Sequence, residues 1–475
     1  MNNKKSVVLI LLAVAMTPEI AYAYLDPASG NAIASFFIAL FGSAIFFLKS
    51  IFYKIFSRSS PDIKLDKRES REQQPMPVIF SEGKTYWTTF RPIVEELINQ
   101  KVHFRYVTLD IYDPGLAIDN AYMHSKRFAK SRFGFAKIVN IESPVMLSTT
   151  PNIGSLGFPM YRPARVKNLV HVFHALVDLS CYRKGSLDFY DTVLMVGAHE
   201  KQAIRLVEKA RNLEKKALIV AGLPCLDDLN RQKEEIELET ESKSKETIEK
   251  TVLIAPSWGA KGCFSEYGTD FVKTLAVANY RVIIRLHPHS YIFEPDSVER
   301  WRAQTKDLTN VVWDDNAFGT QAMAQADILI SDASSIRFDF AFLYQRPVIT
   351  LPISKQSRNI FESDYMTETW ADTMCEKIGV VVNSDRLHII DQVVENTITH
   401  FTPTKLGDLR AKYVANFGHS AVAIVAYLNE QVELLSMTAG ERSLKQQVDM
   451  LKSELNTIHT QLKQSEIVGL KELSE

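Results

Sequence analysis

Residues 328–349, ILISDASSIRFDFAFLYQRPVI, hold the pattern that decides the fold. A run of branched apolar residues predicts a buried strand that ends at Ile330. A polar loop from Ser331 follows, and a helix is predicted to begin at about Ser335. The apolar run after Arg346 predicts the next strand. This order is typical of α/β proteins with parallel sheets, which bind ligands at the carboxyl ends of their strands.

The same alternation of strands and helices extends in both directions from this stretch. It surrounds a charged segment at residues 231–250, so we expect two α/β domains with parallel sheets, at residues 76–230 and 251–427. Strands are predicted within 77–83, 102–110, 167–176, 190–200, 216–224, 251–258, 281–289, 310–315, 326–334 and 346–352. Helices are predicted within 86–100, 200–213, 268–279, 319–325 and 335–345.

Length and composition are consistent with this organisation. A chain of 475 residues exceeds the usual size of a single hydrophobic core. The net charge of −1 provides no general attraction for nucleic acid. The four cysteines are isolated from one another and predict neither a zinc site nor a disulfide framework. We therefore expect a protein without a metal, a cofactor or a nucleic-acid partner.

The first 75 residues predict a membrane attachment. Residues 1–23 combine two lysines, an apolar run and the sequence AYA, which is typical of a signal peptide, and an uncleaved first membrane helix is the alternative. Residues 31–48 carry no charge and are long enough to span a bilayer. The basic flank that extends this segment to residue 56 favours a membrane helix over a buried hydrophobic hairpin. Residues 57–75 are polar and are interpreted as a linker.

The lysines and arginines after residue 48 predict the orientation of the chain. Under the positive-inside rule they place everything that follows in the cytoplasm, with the protein attached to the inner (cytoplasmic) membrane.

Residues 428–475 show a different periodicity. Six apolar residues step by four and three positions, which is typical of a coiled coil. A homo-oligomer formed through this coil is then a candidate assembly, and a single amphipathic helix packed on the body is the alternative. The six residues are Leu444, Val448, Leu451, Leu455, Ile458 and Leu462.

Polar residues follow two predicted strands at the point where chemistry is expected. In the loop after Ile330, serine and aspartate side chains can cap the next helix and leave its free N–H groups and positive dipole end for a phosphate. Capping alone is the alternative. After another strand, His287 and His289 flank Pro288. Two histidines without a nearby cysteine or carboxylate cluster do not supply the three or four ligands of a zinc site.

These motifs together resemble the CDP-glycerol glycerophosphotransferases of teichoic-acid-type polymer synthesis. The resemblance covers roughly residues 165–430. It rests on SDASSIRFDFAFLYQRPVIT at 331–350, IRLHPHS at 284–290, LIAPSWG at 253–259 and GLPCLDD at 222–228. A further motif, HVFHALVDLSCYRKG at 171–185, departs from the family pattern, with Phe173 in place of tryptophan and Ala175 in place of glycine.

The resemblance implies two Rossmann-like domains that face each other across a cleft, the GT-B-like architecture. It implies an enzyme that moves glycerol phosphate, or a similar alditol phosphate, from a CDP-activated donor and releases CMP. The acceptor would be a hydroxyl group of a cell-envelope glycan or a lipid-linked molecule. The first domain would serve the acceptor and the second the nucleotide donor.

The resemblance also implies roles for individual residues. It places His174 as the catalytic base, and His287 with Ser334 and Ser335 as the groups that hold the phosphates. Ser257 and Asp332 belong to matched motifs and are further substrate-binding candidates. Asp339 is a candidate for hydrogen bonding to ribose or cytidine, with a surface carboxylate as the alternative. His289 is a substrate-binding candidate for which a hydrogen-bonded loop residue is the alternative.

Two other functions compete with this interpretation. One is a GT-B glycosyltransferase that uses a nucleotide sugar, because it would share the phosphate-binding helix end. The other is a non-catalytic membrane scaffold that carries a degenerate transferase domain and binds partners through its coiled coil.

Overall fold

The computed structural model describes residues 75–452, apart from 178, 242–249, 260–261, 317–318, 355–360, 439, 442, 446 and 449. These described residues belong to one compact unit. Two parallel β-sheets with surrounding helices form this unit, and we call each sheet with its helices a lobe.

The first lobe is built on seven parallel strands in the order β3-β2-β1-β4-β5-β6-β7. β1 and β4 are buried at every position, as expected for parallel strands covered on both faces. The strands are β1 Val78–Ser81, β2 Phe104–Thr108, β3 Met123–Arg127, β4 Ser143–Ser148, β5 Val166–Val172, β6 Thr192–Met195 and β7 Ala217–Val220.

The second lobe is built on six parallel strands in the order β10-β9-β8-β11-β12-β13. In both sheets the chain order reverses once, between the first and fourth strands of that sheet, as in Rossmann folds. The predicted α/β class with parallel sheets is therefore confirmed. The strands are β8 Thr251–Ala255, β9 Arg281–Ile284, β10 Val311–Trp313, β11 Ile328–Ser331, β12 Val348–Thr350 and β13 Gly379–Val381.

Helices connect the strands and cover the sheets. Those of the first half are α1 Trp87–Asn99, α2 Arg132–Val139, α3 Glu200–Ala210, α4 Pro224–Glu241, α5 Cys263–Tyr267, α6 Asp270–Val277 and α7 Pro288–Phe293. Those of the second half are α8 Pro295–Thr305, α9 Thr320–Gln325, α10 Ile336–Tyr344, α11 Trp370–Met374, α12 Ile390–His400, α13 Thr404–Tyr413 and α14 Ser420–Ser436.

Helix α4 occupies the first half of the segment predicted as a charged linker. Its exposed charges form pairs four residues apart, such as Arg231 with Glu235 at 2.9 Å, which suit a solvated helix face. The opposite side contacts both lobes. The carboxylate of Asp228 pairs with Arg91 on α1, and the Gln232 side chain accepts a hydrogen bond from Thr320 on α9 at 3.3 Å.

Helix α14 returns from the second lobe to the first sheet. Ile424, Val425 and Leu428 are fully buried, and the Tyr427 hydroxyl lies 3.0 Å from the Asn168 side-chain nitrogen on β5. The predicted domain boundary between residues 427 and 428 therefore falls inside a helix that completes the first lobe.

Several sequence predictions lie wholly or partly outside the described residues. No helix in the described ranges is long and apolar enough to cross a membrane, and the predicted segments 1–23 and 31–48 are not among those ranges. Of the predicted coiled-coil seam, Leu444, Val448 and Leu451 are described and exposed. The coiled coil stays a prediction.

Candidate functional site

A cleft of about 490 Å³ lies where the strand order of the second sheet reverses. The carboxyl ends of neighbouring parallel strands meet there, so their loops line a common space. Ser257 follows β8, Asp332 follows β11, and Thr350 and Val381 end β12 and β13. Trp258, Arg337 and Cys375 also line the cleft.

Asp332 holds two loops of this cleft together. Its side chain is fully buried, and its carboxylate accepts hydrogen bonds from the backbone N–H groups of Ser257 at 3.0 Å and Cys263 at 2.7 Å. Because no carboxylate oxygen is exposed, Asp332 positions the loop after β8. The prediction that Asp332 binds substrate gains no support from this arrangement.

Ser334 and Ser335 stand at the beginning of α10 with their side chains partly exposed. Ser335 is the residue that precedes the helix, and its hydroxyl makes no capping hydrogen bond. The hydroxyl of Ser331, by contrast, is committed to the carbonyl of Ala255 at 2.6 Å. The backbone N–H groups of Arg337 and Phe338 already donate to the carbonyls of Ser334 at 3.4 Å and Ser335 at 2.9 Å. The Ser335 hydroxyl and the positive dipole end of α10 can therefore serve an anionic ligand.

Arg337 is a cleft residue that the sequence analysis did not select. Its side chain is 4% exposed, and Nε donates to the Ser334 carbonyl at 3.0 Å. One terminal nitrogen lies 3.3 Å from the Thr350 hydroxyl and 3.1 Å from the Cys375 sulfur. The available signal was an arginine between Ile336 and Phe338 in a helix of mostly apolar residues, because a buried guanidinium requires partners or an anionic ligand.

His287 has a defined tautomer because it caps the short helix α7. Its Nδ1 accepts a hydrogen bond from the backbone N–H of His289 at 3.1 Å, so the proton of the neutral ring is on Nε2. Burial, and secondly the nearby His289, lower the pKa of His287 to about 4. The neutral ring therefore presents an N–H donor, and Pro288 at the first helical position fixes the backbone beside it.

His289 contributes differently. Its side chain is exposed, and its ring lies 4.9 Å from that of Trp258, which lines the cleft. The ring of His287 lies 6.3 Å from the same tryptophan. The structure thus brings His287 and His289 together at the rim of the cleft.

His174 lies in the first lobe, after β5. Its ring contacts the ring of Tyr86 edge-on at 5.2 Å, and its buried Nδ1 has no hydrogen-bond partner among the described residues. Burial lowers the pKa of His174 to about 4. His171, two strand positions before Phe173, is fully buried, with Nε2 at 3.1 Å from the Tyr182 hydroxyl.

Asp339 does not line the cleft. The residue is partly exposed as a whole, but its Oδ1 is buried without a hydrogen-bond partner, and burial raises the pKa of this carboxyl to about 7. The Asp339 side chain lies near Cys225 at the start of α4. Burial is the main cause that raises the pKa of the Cys225 thiol, and the charge of Asp339 is the second. The predicted contact of Asp339 with ribose or cytidine stays a prediction.

The two lobes contact each other through residues that follow β5 and β6 in the first lobe and β12 in the second. The backbone N–H of Glu362 donates to the Tyr182 carbonyl at 2.8 Å, and its carboxylate accepts from the Gly185 N–H at 2.8 Å. The ring of His199, after β6, lies 4.8 Å from that of Trp370 on α11.

No contact among the described residues joins His174 to His287. Within the described ranges, no group of three or more histidine, cysteine or acidic side chains could hold a metal.

Solved structures of other proteins resemble this chain in fold at low sequence identity. The wall teichoic acid polymerase TagF is 14% identical, with a TM-score of 0.51 over 85% of this chain and 99% of that chain. A TagF variant soaked with CDPG for 15 minutes is 11% identical, with a TM-score of 0.51 over 86% of this chain and 99% of that chain. The UDP-GlcNAc 2-epimerase of Methanocaldococcus jannaschii is 12% identical, with a TM-score of 0.47 over 75% of this chain and 99% of that chain.

Sequence comparison is more specific. None of the curated proteins matches the chain. Residues 182–377 match the family described as CDP-Glycerol:Poly(glycerophosphate) glycerophosphotransferase. The match includes Ser257, His287, Ser334, Ser335 and Arg337, whereas His174 precedes it. Residues 182–377 of this chain are therefore similar to the CDP-Glycerol:Poly(glycerophosphate) glycerophosphotransferase family of enzymes.

Proposed function

We propose that the protein transfers glycerol phosphate, or a closely similar alditol phosphate, from a CDP-activated donor to a hydroxyl group and releases CMP. The observation that carries the proposal is the coincidence of the family match with the cleft of the second sheet. Every side chain that lines this cleft, apart from Val381, lies within residues 182–377.

The second lobe provides the charge stabilisation that phosphoryl transfer requires. Arg337 lines the cleft, whereas Ser334 and Ser335 directly follow the lining residue Ala333 at the amino end of α10. In the proposed complex, the Arg337 guanidinium, the two serine hydroxyls and the helix dipole together stabilise the diphosphate. His287 donates its Nε2–H to a phosphate oxygen. Charge that develops on the leaving CMP is then stabilised by fixed dipoles.

The first lobe provides the base. The neutral imidazole of His174 accepts the proton of the acceptor hydroxyl as that oxygen bonds to the β-phosphorus. The bond between the β-phosphorus and the bridging oxygen breaks, and CMP leaves with the electron pair.

Two assays test this function. We expect CMP release from CDP-glycerol in the presence of a short hydroxyl acceptor, and no UDP release from UDP-sugars. Ser334→Ala combined with Ser335→Ala should lower CMP affinity, measured by calorimetry, while Ser384→Ala, an exposed serine far along the chain, should not. UDP release alone would favour a glycosyltransferase, and a wild-type protein that binds no nucleotide would favour a scaffold.

The placement of the reaction is part of the proposal. A lipid-linked or envelope-glycan acceptor at the inner membrane fits the uncharged segment 31–48 and its basic flank. Removal of residues 1–56 should leave CMP release with a soluble acceptor largely unchanged and should strongly reduce transfer to a membrane-embedded acceptor. A reporter fused after residue 75 should be cytoplasmic; a periplasmic reporter would contradict the orientation.

A further inference from the structure

The open edge of the first sheet carries an unusual concentration of positive charge. Between residues 120 and 141 the chain has five basic residues and no aspartate or glutamate. All five side chains are exposed, and within the described part of the chain none of them forms an ion pair. They are Lys126, Arg127, Lys130, Arg132 and Lys137.

Exposed apolar side chains lie within the same surface. Phe133, in the first turn of α2, is 83% exposed, while Ile111 and Tyr112, after β2, are 61% and 75% exposed. Isolated exposed apolar residues are ordinary, but three large ones among unpaired cations mark an interaction surface.

Contacts show that these two segments are neighbours. The Phe128 N–H donates to the carbonyl of Thr108 at 2.9 Å, which joins the end of β3 to the end of β2. The ammonium groups of Lys126 and Lys137 lie 5.7 and 5.9 Å from the centre of the Phe128 ring. Residues 110–112 and 126–137 therefore form one surface, which we call the basic edge.

We propose that the basic edge lies against an anionic lipid bilayer, with Phe133, Ile111 and Tyr112 in the headgroup region and the lysines and arginines on the lipid phosphates. Aromatic rings with adjacent cations are the composition that interfacial membrane surfaces use. The exposed apolar side chains favour a bilayer over a soluble polyanion, which would need only the charges. Residues 49–74 separate the predicted membrane segment from the first described residue, and an extended chain of that length reaches about 90 Å.

The inference is independent of the chemistry of the cleft, and hydrogen–deuterium exchange of the full chain tests it. The protein is reconstituted into vesicles of neutral phosphatidylcholine or of phosphatidylcholine with phosphatidylglycerol. We expect slower exchange in residues 110–112 and 126–137 with the anionic vesicles, and no such change in helix α8 of the second lobe. Equal exchange of the basic edge in both vesicles would overturn the proposal.

Two variants separate lipid contact from general charge attraction. Replacement of Lys126, Arg127, Lys130 and Arg132 by glutamine should abolish the lipid-dependent protection. The matched control should retain the lipid-dependent protection of the basic edge. It replaces with glutamine four exposed basic residues of the second lobe, Lys306, Lys377, Arg386 and Lys405. Phe133→Ser should weaken protection by vesicles. If soluble polyphosphate protects the surface equally, and Phe133→Ser leaves both effects intact, the surface binds polyanions and the bilayer proposal is wrong.

Discussion

His174 and His287 are both neutral at physiological pH, yet their surroundings suit different tasks. His287 has its Nδ1 engaged by the His289 N–H, which leaves Nε2 as a donor. The Nδ1 of His174 has no hydrogen-bond partner in the described part of the structure, and the His174 ring lies edge-on to the ring of Tyr86. One ring is therefore prepared to donate a proton in a hydrogen bond, and the other can accept one.

The pH dependence of turnover follows from the low pKa of both rings. Each pKa is lowered to about 4, so each ring is neutral at higher pH and becomes charged only as the pH falls through about 4. We expect kcat/KM for CMP release to be flat from pH 5.5 to 7.5 and to decrease below pH 5. An acidic limb with an apparent pKa near 6.5 would contradict this assignment.

Removal of the proposed base should have a large effect on the chemical step. His174→Gln is expected to lower kcat by about 10²–10⁴-fold with little change in CMP affinity, because the donor cleft lies in the other lobe. His388→Gln, an exposed histidine, is the matched control and should retain wild-type turnover. Near-normal kcat in the His174 variant would place the base elsewhere.

Asp339 makes a separate prediction about stability. Its pKa is raised from 3.8 to about 7 by burial, so its contribution to stability is complete below pH 3.8 and is lost as the pH rises through 7. Asp339→Asn should therefore gain stability relative to wild type between pH 5 and 8, by about 1–3 kcal/mol in urea unfolding. Asp385→Asn, which changes an exposed carboxylate, is the control. Its free energy of unfolding should differ from that of wild type by the same amount throughout this pH range.

At the scale of the element, the loops of the second sheet depend on one carboxylate. Asp332→Ala leaves the N–H groups of Ser257 and Cys263 without their acceptor. Hydrogen bonds to charged groups contribute about 1.5–3 kcal/mol each, so a loss of about 3–6 kcal/mol is expected in urea unfolding. CMP affinity should fall as well. Asp332→Asn keeps one acceptor oxygen, so its free energy of unfolding should lie between those of Asp332→Ala and wild type. Equal free energies of unfolding for all three proteins would contradict the assigned role of Asp332.

The elements that the sequence predicted well are those with a simple burial pattern. Strands such as β8 and β11 are apolar at nearly every position, because parallel strands are covered on both faces. β3 was missed because four of its five residues are exposed at the edge of the sheet, but β4 was also missed although it is buried at every position. The role of Asp332 was not predictable either, since its partners are backbone groups that follow another strand, 75 residues away for Ser257.

At the scale of the whole molecule, Glu362 joins the lobes beside the predicted acceptor motif. Glu362→Ala removes the acceptor of the Gly185 N–H and should speed hydrogen exchange at residues 182–185. Turnover should fall much more than CMP affinity, because the cleft is built from the second lobe. Glu299→Ala, which changes an exposed carboxylate, is the control. An equal fall in affinity and turnover would mean that Glu362 supports the cleft itself.

The return of α14 to the first sheet determines when that sheet can be completed during synthesis. The Tyr427 hydroxyl contacts Thr192 across 235 residues of sequence and Asn168 across 259. A ribosome therefore releases the whole second lobe before the helix that covers the first sheet emerges. Until then, apolar residues of β4, β5 and β6 lack their cover and are open to chaperones or to aggregation. A stop codon at residue 420 would thus damage the amino-terminal half of the protein, which the ribosome had finished long before.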